Sequence, residues 1–293
     1  MKNPIKNVLI ICCIYLNTSV FGQENSPLSM FINYSPLSSN QKHASYSMKL
    51  KMQYPVCKSS KSILLTGVNG QWFQKDLQDD SVKFNERYYL SIPLALLQNL
   101  NENYKLFFSF EIGLNSDFSN ISKEHIKYTS KIALIKSTEK TIRWSAILIL
   151  SHQYSGLSIS PVFYVNCRVF SKLYFNGALP TSSKLTWKAN ANNQYGIAII
   201  TEKNSFYLPN DNKGLFVEKL NADIDLFYLR KLNKNLKFSA KLGYTFLHTA
   251  KIYDQGETVP AHLYIFDNSS KKSVTTQPKG LIFKVGVFWS LSD

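Results

Sequence analysis

Long apolar segments and cysteines are both scarce in this sequence. After residue 22 no stretch approaches the ~20 consecutive apolar residues of a membrane-spanning helix, so a helical membrane protein is excluded. Only Cys57 and Cys167 lie outside the N-terminal segment, which is too few cysteines for a disulfide-rich scaffold or a four-ligand zinc site. The sequence leaves undecided whether these two form one disulfide. Phosphate-binding, dinucleotide-binding and EF-hand patterns are also missing. We therefore expect no cofactor.

The first 22 residues have the order of a secretory signal peptide. Two lysines give a positive start, Val8–Leu16 is a short apolar segment, and polar and small residues follow as far as Gly22. This apolar segment is too short to span a bilayer as a retained helix. We expect cleavage between Gly22 and Gln23, which leaves residues 23–293 as the mature domain.

Acidic residues are few relative to basic ones. The chain has 34 Lys and Arg against 19 Asp and Glu, a formal charge of +15, which falls to +13 without the two lysines of the signal peptide. Such an excess often indicates nucleic-acid binding. The lysines are spread along the whole chain, however, and an exported protein rarely meets nucleic acid. The charge instead indicates a charged pore lining or contact with anionic lipid head groups.

Apolar and polar residues alternate over many segments. From Tyr46 to Tyr54 every second residue is apolar, and Ser, Lys and Gln lie between them. The alternation returns in residues 237–246 and 281–291. Because successive side chains of a strand point to opposite faces, each segment predicts a strand with one apolar and one polar wall. The 17 Tyr and 19 Phe residues also favour β-structure.

The alternating segments predict an all-β fold, an antiparallel up-and-down transmembrane β-barrel of 14 strands, with 12 as the alternative count. The predicted strands are residues 28–35, 44–54, 62–73, 87–97, 104–114, 128–136, 142–152, 160–167, 171–179, 183–189, 194–206, 217–230, 236–250 and 280–291. Short polar connections alternate with longer ones, which is the outer-membrane arrangement of periplasmic turns and external loops.

Two places depart from this pattern. Pro93 lies inside a predicted strand, where it removes a hydrogen-bond donor, so we expect a bulge or a local break there. The connection Leu179–Ser182 is short at a position where an external loop is expected.

Charged residues occupy the polar wall of many predicted strands. A sandwich core does not tolerate unpaired charge, whereas a water-filled barrel lumen does. The side chains assigned to the lumen are Lys49, Lys51, Lys105, Glu111, Lys184, Lys188, Asp223, Asp225, Lys237, Lys241 and Lys284. Lysines dominate this set, which predicts a cationic lumen that favours small anionic solutes.

Several short motifs resemble those of a family of Gram-negative outer-membrane β-barrel proteins of unknown function. They are Tyr46–Pro55, a lysine-bearing strand that ends in Tyr-Pro, the stretch Gly113–Phe118, Pro161, Pro180 and the closing strand Gly280–Leu291. The resemblance implies a barrel and an outer-membrane location. It implies no activity, so no functional residues are carried over.

Enzymatic chemistry has little support. His43 and Ser45 have the spacing of a base and a nucleophile on one strand face, as a lipid hydrolase on a barrel wall would need. Ser45 shares its face with Lys49 and Lys51, however, and a lipid-cleaving serine must face the bilayer. We assign no catalytic or metal-binding residue, and we interpret the five histidines as solvated or interfacial.

Aromatic residues gather near the predicted strand ends, where amphipathic rings form girdles at head-group depth. The predicted girdle residues are Tyr34, Tyr54, Trp72, Tyr88, Tyr104, Tyr128, Trp144, Tyr154, Tyr195, Tyr207 and Phe216.

We interpret the chain as a passive channel or transport protein of the cell outer membrane. Its expected partners are outer-membrane lipid, the barrel assembly machinery and small anionic solutes. The alternative is a plugged barrel with a structural role or with ligand-binding outer loops, and a barrel lipid hydrolase is a third hypothesis. The long connection Lys251–Lys279 distinguishes the open channel from the plugged barrel, because a loop folded inward would occlude the pore.

Overall fold

The computed structural model describes residues 27–36, 45–74, 86–116, 118, 121–137, 142–153, 156–208, 215–254, 262–263, 274–276 and 279–289. The predicted signal peptide, with its cleavage site between Gly22 and Gln23, lies outside these residues, so the division into residues 1–22 and 23–293 stays a prediction. No helix in the described ranges is long and apolar enough to cross a membrane.

Strands make up nearly all of the described structure. In chain order they are β1 (Leu28–Ser35), β2 (Ser45–Lys58), β3 (Ser62–Gln74), β4 (Glu86–Asn99), β5 (Tyr104–Ser116), β6 (Ile126–Ser137), β7 (Ile142–Gln153), β8 (Gly156–Arg168), β9 (Leu173–Leu179), β10 (Ser182–Lys188), β11 (Asn193–Leu208), β12 (Leu215–Lys231), β13 (Leu236–Asp254), β14 (His262–Leu263), β15 (Val274–Thr276) and β16 (Gly280–Trp289). One 3-10 helix, Lys123–His125, precedes β6.

The fourteen longer strands form a closed wall. Each pairs antiparallel with its neighbours along the chain, and β1 closes the sheet against β16, from Leu28 opposite Trp289 to Tyr34 opposite Phe283. The two short strands lie between β13 and β16 in sequence: β15 pairs with β13, and β14 pairs parallel with β8. The predicted 14-stranded antiparallel barrel is confirmed.

Side chains alternate between the two faces of this wall. On β4 the apolar side chains of Leu94 and Leu96 are exposed, whereas Ala95 and Leu97 between them are buried. On β16 Val285 is exposed while its neighbour Lys284 is buried. The exposed members form an apolar outer surface, and the buried members point into the barrel.

Three turns at one end of the barrel share one construction. In each Asn-x-Asn sequence the first asparagine side chain accepts hydrogen bonds from the backbone N–H groups two and three residues later. The distances are 2.9 and 2.8 Å at Asn101, 2.9 and 2.9 Å at Asn190, and 2.9 and 2.8 Å at Asn233. Because the side chain satisfies donors that the tight turn would leave unpaired, it keeps these connections short.

Pro93 interrupts one side of β4. The ladder between β3 and β4 pairs Thr66 with Leu94 and resumes at Asn69 with Ser91, so the register is kept across the interruption. The Thr66 hydroxyl donates to the Pro93 carbonyl at 3.0 Å. The expected irregularity is therefore a local break and not a bulge.

Aromatic rings mark two levels along the barrel. Tyr34 and Tyr46 lie against each other near the end with long connections, with ring centroids 5.1 Å apart. Trp187 and Tyr195 lie near the end with short turns, 6.4 Å apart. On β2, Tyr46 and Tyr54 are eight residues apart. At ~3.3 Å per residue and a tilt of ~40°, this is about 20 Å, close to the apolar band of an outer-membrane barrel.

Two residues predicted for the girdles lie elsewhere. Phe216 is buried and stacks on Tyr253, with centroids 4.7 Å apart. Tyr207 meets the ring of buried His125 edge-on at 5.1 Å. These contacts correct both the girdle assignment and the interpretation of His125 as solvated or interfacial. The predicted girdle residue Tyr154 lies outside the described residues.

The β9–β10 hairpin is too short to reach the outer girdle. Each of its strands has seven residues, against 13 in β8 and 16 in β11. Ser182, at the tip of the hairpin, is five positions along β10 from Trp187 in the lower girdle. The hairpin therefore rises only about 13 Å above that girdle. Beyond the tip, β11 loses a neighbour, and on the same side β8 has the short parallel pairing with β14 at Ser158 and Ile159.

The inner wall near the short turns is apolar, in contrast to the charged inner faces predicted from the sequence. Buried inward side chains of β4–β8 pack together there: Ala95, Leu97, Phe107, Ala133, Ile135, Ile147, Val162 and Tyr164. Phe107, a buried aromatic residue on the inward face of β5, belongs to this cluster. Because packed apolar side chains exclude water, the predicted water-filled lumen does not reach this part of the wall.

Candidate functional site

The interior of the barrel holds the side chains that the sequence assigned to a lumen. All eleven lie on strand faces opposite to exposed apolar residues. Lys49 and Lys51 are on β2, Lys105 and Glu111 on β5, Lys184 and Lys188 on β10, Asp223 and Asp225 on β12, Lys237 and Lys241 on β13, and Lys284 on β16. That they line a conducting pore stays a prediction.

Lys284 connects two acidic residues of β12. Its ammonium lies 2.8 Å from an Asp223 carboxylate oxygen and 2.9 Å from both oxygens of Asp225. Asp223 also accepts a hydrogen bond from the Thr245 hydroxyl at 2.7 Å. Asp225 is fully buried, and Gly243 beside it leaves no space, because a Cβ there would lie 2.2 Å from the carboxylate. Charge and packing together fix this cluster.

Glu111 is the centre of a second polar cluster on the far side of the barrel. Its carboxylate accepts hydrogen bonds from Asn69 at 3.2 Å, from the Tyr89 hydroxyl at 3.0 Å and from Ser91. Lys131 on β6 is close enough to act on the charge of this carboxylate. Glu111 is therefore held by neighbours on three strands, and its charge is partly offset.

An ion pair crosses the lumen between Lys49 and Glu202. The Lys49 ammonium is 2.7 Å from the Glu202 carboxylate. The strands that carry them, β2 and β11, are five positions apart around the barrel. Both side chains keep substantial exposure, 30% and 43%, so water reaches the pair. Such an exposed pair contributes little stability, about 0–1 kcal/mol.

The outer half of β11 does not follow the circular wall. Its last pairing with the hairpin is the bond from the Thr201 N–H to the Thr181 carbonyl. Beyond that bond, Cα atoms of β11 come within 8 Å of those of β5, six positions away around the barrel. Because β10 has ended, this half of β11 keeps only its pairing with β12, from Thr201 opposite Ala222 to Leu208 opposite Leu215, and it lies inside the lumen.

Phe206 lies at the centre of this inward segment. Its ring meets that of Phe73 edge-on at 5.8 Å. The Arg87 guanidinium and the Lys127 ammonium lie 5.2 and 5.8 Å from its centroid. Phe206 is only 4% exposed, so side chains from β3, β4 and β6 enclose it.

Several inward residues are absent from the set predicted from the sequence. Lys131 could have been found, because it alternates with apolar Ile132 in a predicted strand. The inward position of Glu202 did not follow from the sequence, because the consecutive apolar residues Ile199 and Ile200 interrupt the alternation of apolar and polar residues along this strand. The inward position of Phe206 depends on the length of a different hairpin, which its own segment does not encode.

Residues considered for other chemistry lie apart. Ser45 is at the start of β2 opposite Ser35, and His43 is outside the described residues. Cys57 and Cys167 are both free thiols, so the disulfide left open by the sequence is not formed between them. Within the described ranges, no three His, Cys, Asp or Glu side chains gather in a group that could hold a metal ion.

Comparisons with known proteins give one family match and several similar structures. The family model described as Domain of unknown function (DUF6268) matches residues 14–261. No curated protein matches the chain. Among solved structures the chain is similar to the NanC porin, with 9% identity, a TM-score of 0.43, and coverage of 90% of this chain and 100% of that one. It is also similar to the KdgM porin, solved in complex with disordered oligogalacturonate, with 9% identity, a TM-score of 0.36, and coverage of 89% and 98%. The TodX monoaromatic hydrocarbon channel, a deltaS2 mutant, has 9% identity, a TM-score of 0.40, and coverage of 91% and 89%.

Proposed function

The chain belongs to the family described as Domain of unknown function (DUF6268), and for this member we propose the function of a passive outer-membrane channel for small anionic solutes. The proposal rests on the barrel itself: its outer surface, its inner charge and its dimensions.

The outer surface supports a membrane location. Between the aromatic girdles, outward positions carry exposed Leu, Ile, Val and Phe side chains, such as Leu94, Phe108 and Val285. In water such a continuous apolar band would be costly, at about 25 cal/mol per Å². In lipid it is solvated, and the closed hydrogen-bonded wall leaves few unpaired backbone groups. The signal peptide predicted from the sequence favours the outer membrane.

The observation that carries the proposed ion preference is the excess of cations on the inner face. Inward basic side chains on the described strands are Lys49, Lys51, Arg87, Lys105, Lys127, Lys131, Lys184, Lys188, Lys237, Lys241 and Lys284, and the acids that face them on these strands are Glu111, Glu202, Glu218, Asp223 and Asp225. Ion pairs offset some of these cations but leave a positive surplus. A positive lining raises the local concentration of anions.

Reversal potentials in a salt gradient test this proposal. The purified protein in a planar bilayer should prefer anions, and the preference should weaken as the Debye length falls toward about 3 Å near 1 M salt. The double variant Lys51→Gln/Lys131→Gln should prefer anions less than the wild type. Lys58→Gln, at the exposed end of β2, is the matched control and should leave the reversal potential unchanged. Cation preference of the wild type would contradict the proposal.

A plugged barrel with a structural or binding role is the second candidate. The enclosure of Phe206 and the apolar inner cluster of β4–β8 favour it, since both reduce the open cross-section. A protein that inserts as a folded barrel and conducts no ions under any salt condition would support this candidate over the channel.

A further inference from the structure

The inward half of β11 is a feature that a plain cylindrical channel does not need. It runs from Thr201 to Leu208, crosses the lumen and lies against β5. The hairpin that should support it ends below the outer girdle. A strand edge left facing lipid at that level would expose N–H and C=O groups that lipid cannot hydrogen-bond. Turning inward removes this edge from the lipid.

Side chains from the opposite wall replace the missing strand along this edge. Asn115 on β5 donates from its amide to the Ser205 carbonyl at 3.1 Å, and the Lys127 ammonium donates to the same oxygen. Arg87 on β4 donates to the Tyr207 carbonyl at 3.1 Å. Ser205 and Tyr207 are two residues apart, so their carbonyls share one edge of the strand. Hydrogen bonds to its backbone carbonyls therefore hold the segment in the lumen, in addition to side-chain packing.

The same segment places an acid and an aromatic ring in the path of a solute. Glu202 reaches Lys49 across the lumen, and Phe206 fills the space between Phe73 and Arg87. An anion that enters from outside would first meet the Phe206 ring, which Arg87 and Lys127 border. It would then meet the ion pair of Glu202 and Lys49. This arrangement restricts width by an apolar surface while it keeps cations beside the passage.

We propose that residues Thr201–Leu208 of β11 form the constriction that selects solutes, with Phe206 as the residue that limits their width and Asn115 as a positioning residue that holds the segment through the Ser205 carbonyl. The proposal rests on the proposed channel function and adds the location of its selectivity. It restricts the substrate class to anions narrow enough to pass beside the segment that the Phe206 ring packs against β3, β4 and β6.

Single-channel conductance and solute-size limits of Phe206 variants test this assignment. Phe206→Ala should raise the unit conductance at least about twofold, because the ring is removed from the narrowest section, and should admit larger anions in liposome swelling. Phe206→Leu should lie between the wild type and Phe206→Ala. Phe108→Ala is the matched control, since Phe108 is exposed on the lipid face of β5. Each variant is first shown to be folded by the shift in gel mobility on heating.

Asn115→Leu tests the positioning role, because it keeps the approximate size of the side chain, removes the amide donor and adds no charge. It should raise the conductance and the frequency of opening, whereas Asn115→Gln, which keeps the donor, should restore part of the wild-type behaviour. A merely structural asparagine would change stability and leave these electrical properties as they are.

The outcomes separate the constriction from the channel. If the wild type conducts and folded Phe206→Ala shows the same unit conductance and size limit, the constriction is elsewhere and this inference is overturned. If the wild type is silent and Phe206→Ala conducts, the inference is supported in its strongest form. If neither conducts although both are folded, the channel function fails, and the constriction with it.

Discussion

Lys284 offers the sharpest test of how the interior is stabilised. Replacing it by Met keeps most of the side-chain volume but removes the charge, and leaves Asp225 fully buried without its main cation. The Lys284 side chain is only 11% exposed, so solvent screens the pair weakly. Removing one partner of a buried ion pair costs about 3–5 kcal/mol. We expect Lys284→Met to lose about this much in its free energy of unfolding.

Urea unfolding of the protein in lipid vesicles, followed by tryptophan fluorescence, measures this loss. Lys241→Met is the matched control, because Lys241 lies directly opposite Lys284 on β13. Its ammonium lies 5.6 Å from the Phe31 ring centroid. Two like charges that face each other across strands disfavour folding slightly, so we expect a change within about 1 kcal/mol for this control.

A second variant shows whether the loss of stability comes from the carboxylate charges of Asp223 and Asp225 that are left without a cation. Adding Asp223→Asn and Asp225→Asn to Lys284→Met removes both carboxylate charges and should recover much of the lost stability. Equal losses in Lys284→Met and Lys241→Met, or a triple variant no more stable than the single one, would refute the ion-pair explanation.

Three further predictions follow from the wall and its turns. Leu242→Arg places a charge on the lipid face and should lower the free energy of unfolding by about 2–4 kcal/mol near the bilayer midplane, as measured by the same urea titration. An unchanged unfolding midpoint would mean that this face contacts water and not lipid. Asn190→Ala leaves two turn N–H groups without their side-chain acceptor and should cost about 1 kcal/mol, whereas no change would show that water replaces the asparagine fully. Lys123→Cys should react with a membrane-impermeant thiol reagent on intact cells and Asn233→Cys should not, in a background without the native cysteines; the opposite reactivity would invert the assigned orientation.

Much of the wall could be predicted from the sequence because its period is local. Alternation such as Lys284 with Val285 encodes the two faces of a strand within a few residues, and the Asn-x-Asn turns encode where strands end. Both signals depend only on neighbours in the chain. The strand number and the inward lysines followed from them.

The contents of the lumen could not be predicted in the same way. Residues 94–97 are apolar on both faces, so no period distinguishes the lipid side from the inner cluster that contains Leu97. The inward turn of β11 arises from the short β9–β10 hairpin and from donors such as Asn115, six strands away. His125 is buried by Tyr207 of that same strand. These contacts join distant segments, and a local pattern carries no information about them.

The lumen exists only if β1 pairs with β16, and a disulfide between these strands tests that pairing most directly. Met30 is opposite Val287, and the neighbouring residue Phe288 points to the other face. Paired strands bring opposite Cα atoms to about 4.5–5.5 Å, within the range of a disulfide. In a background without the native cysteines, oxidation should crosslink Met30→Cys with Val287→Cys and not Met30→Cys with Phe288→Cys, as seen by faster migration on a non-reducing gel after boiling. Crosslinking of the second pair alone, or of neither pair in folded protein, would contradict the closed barrel.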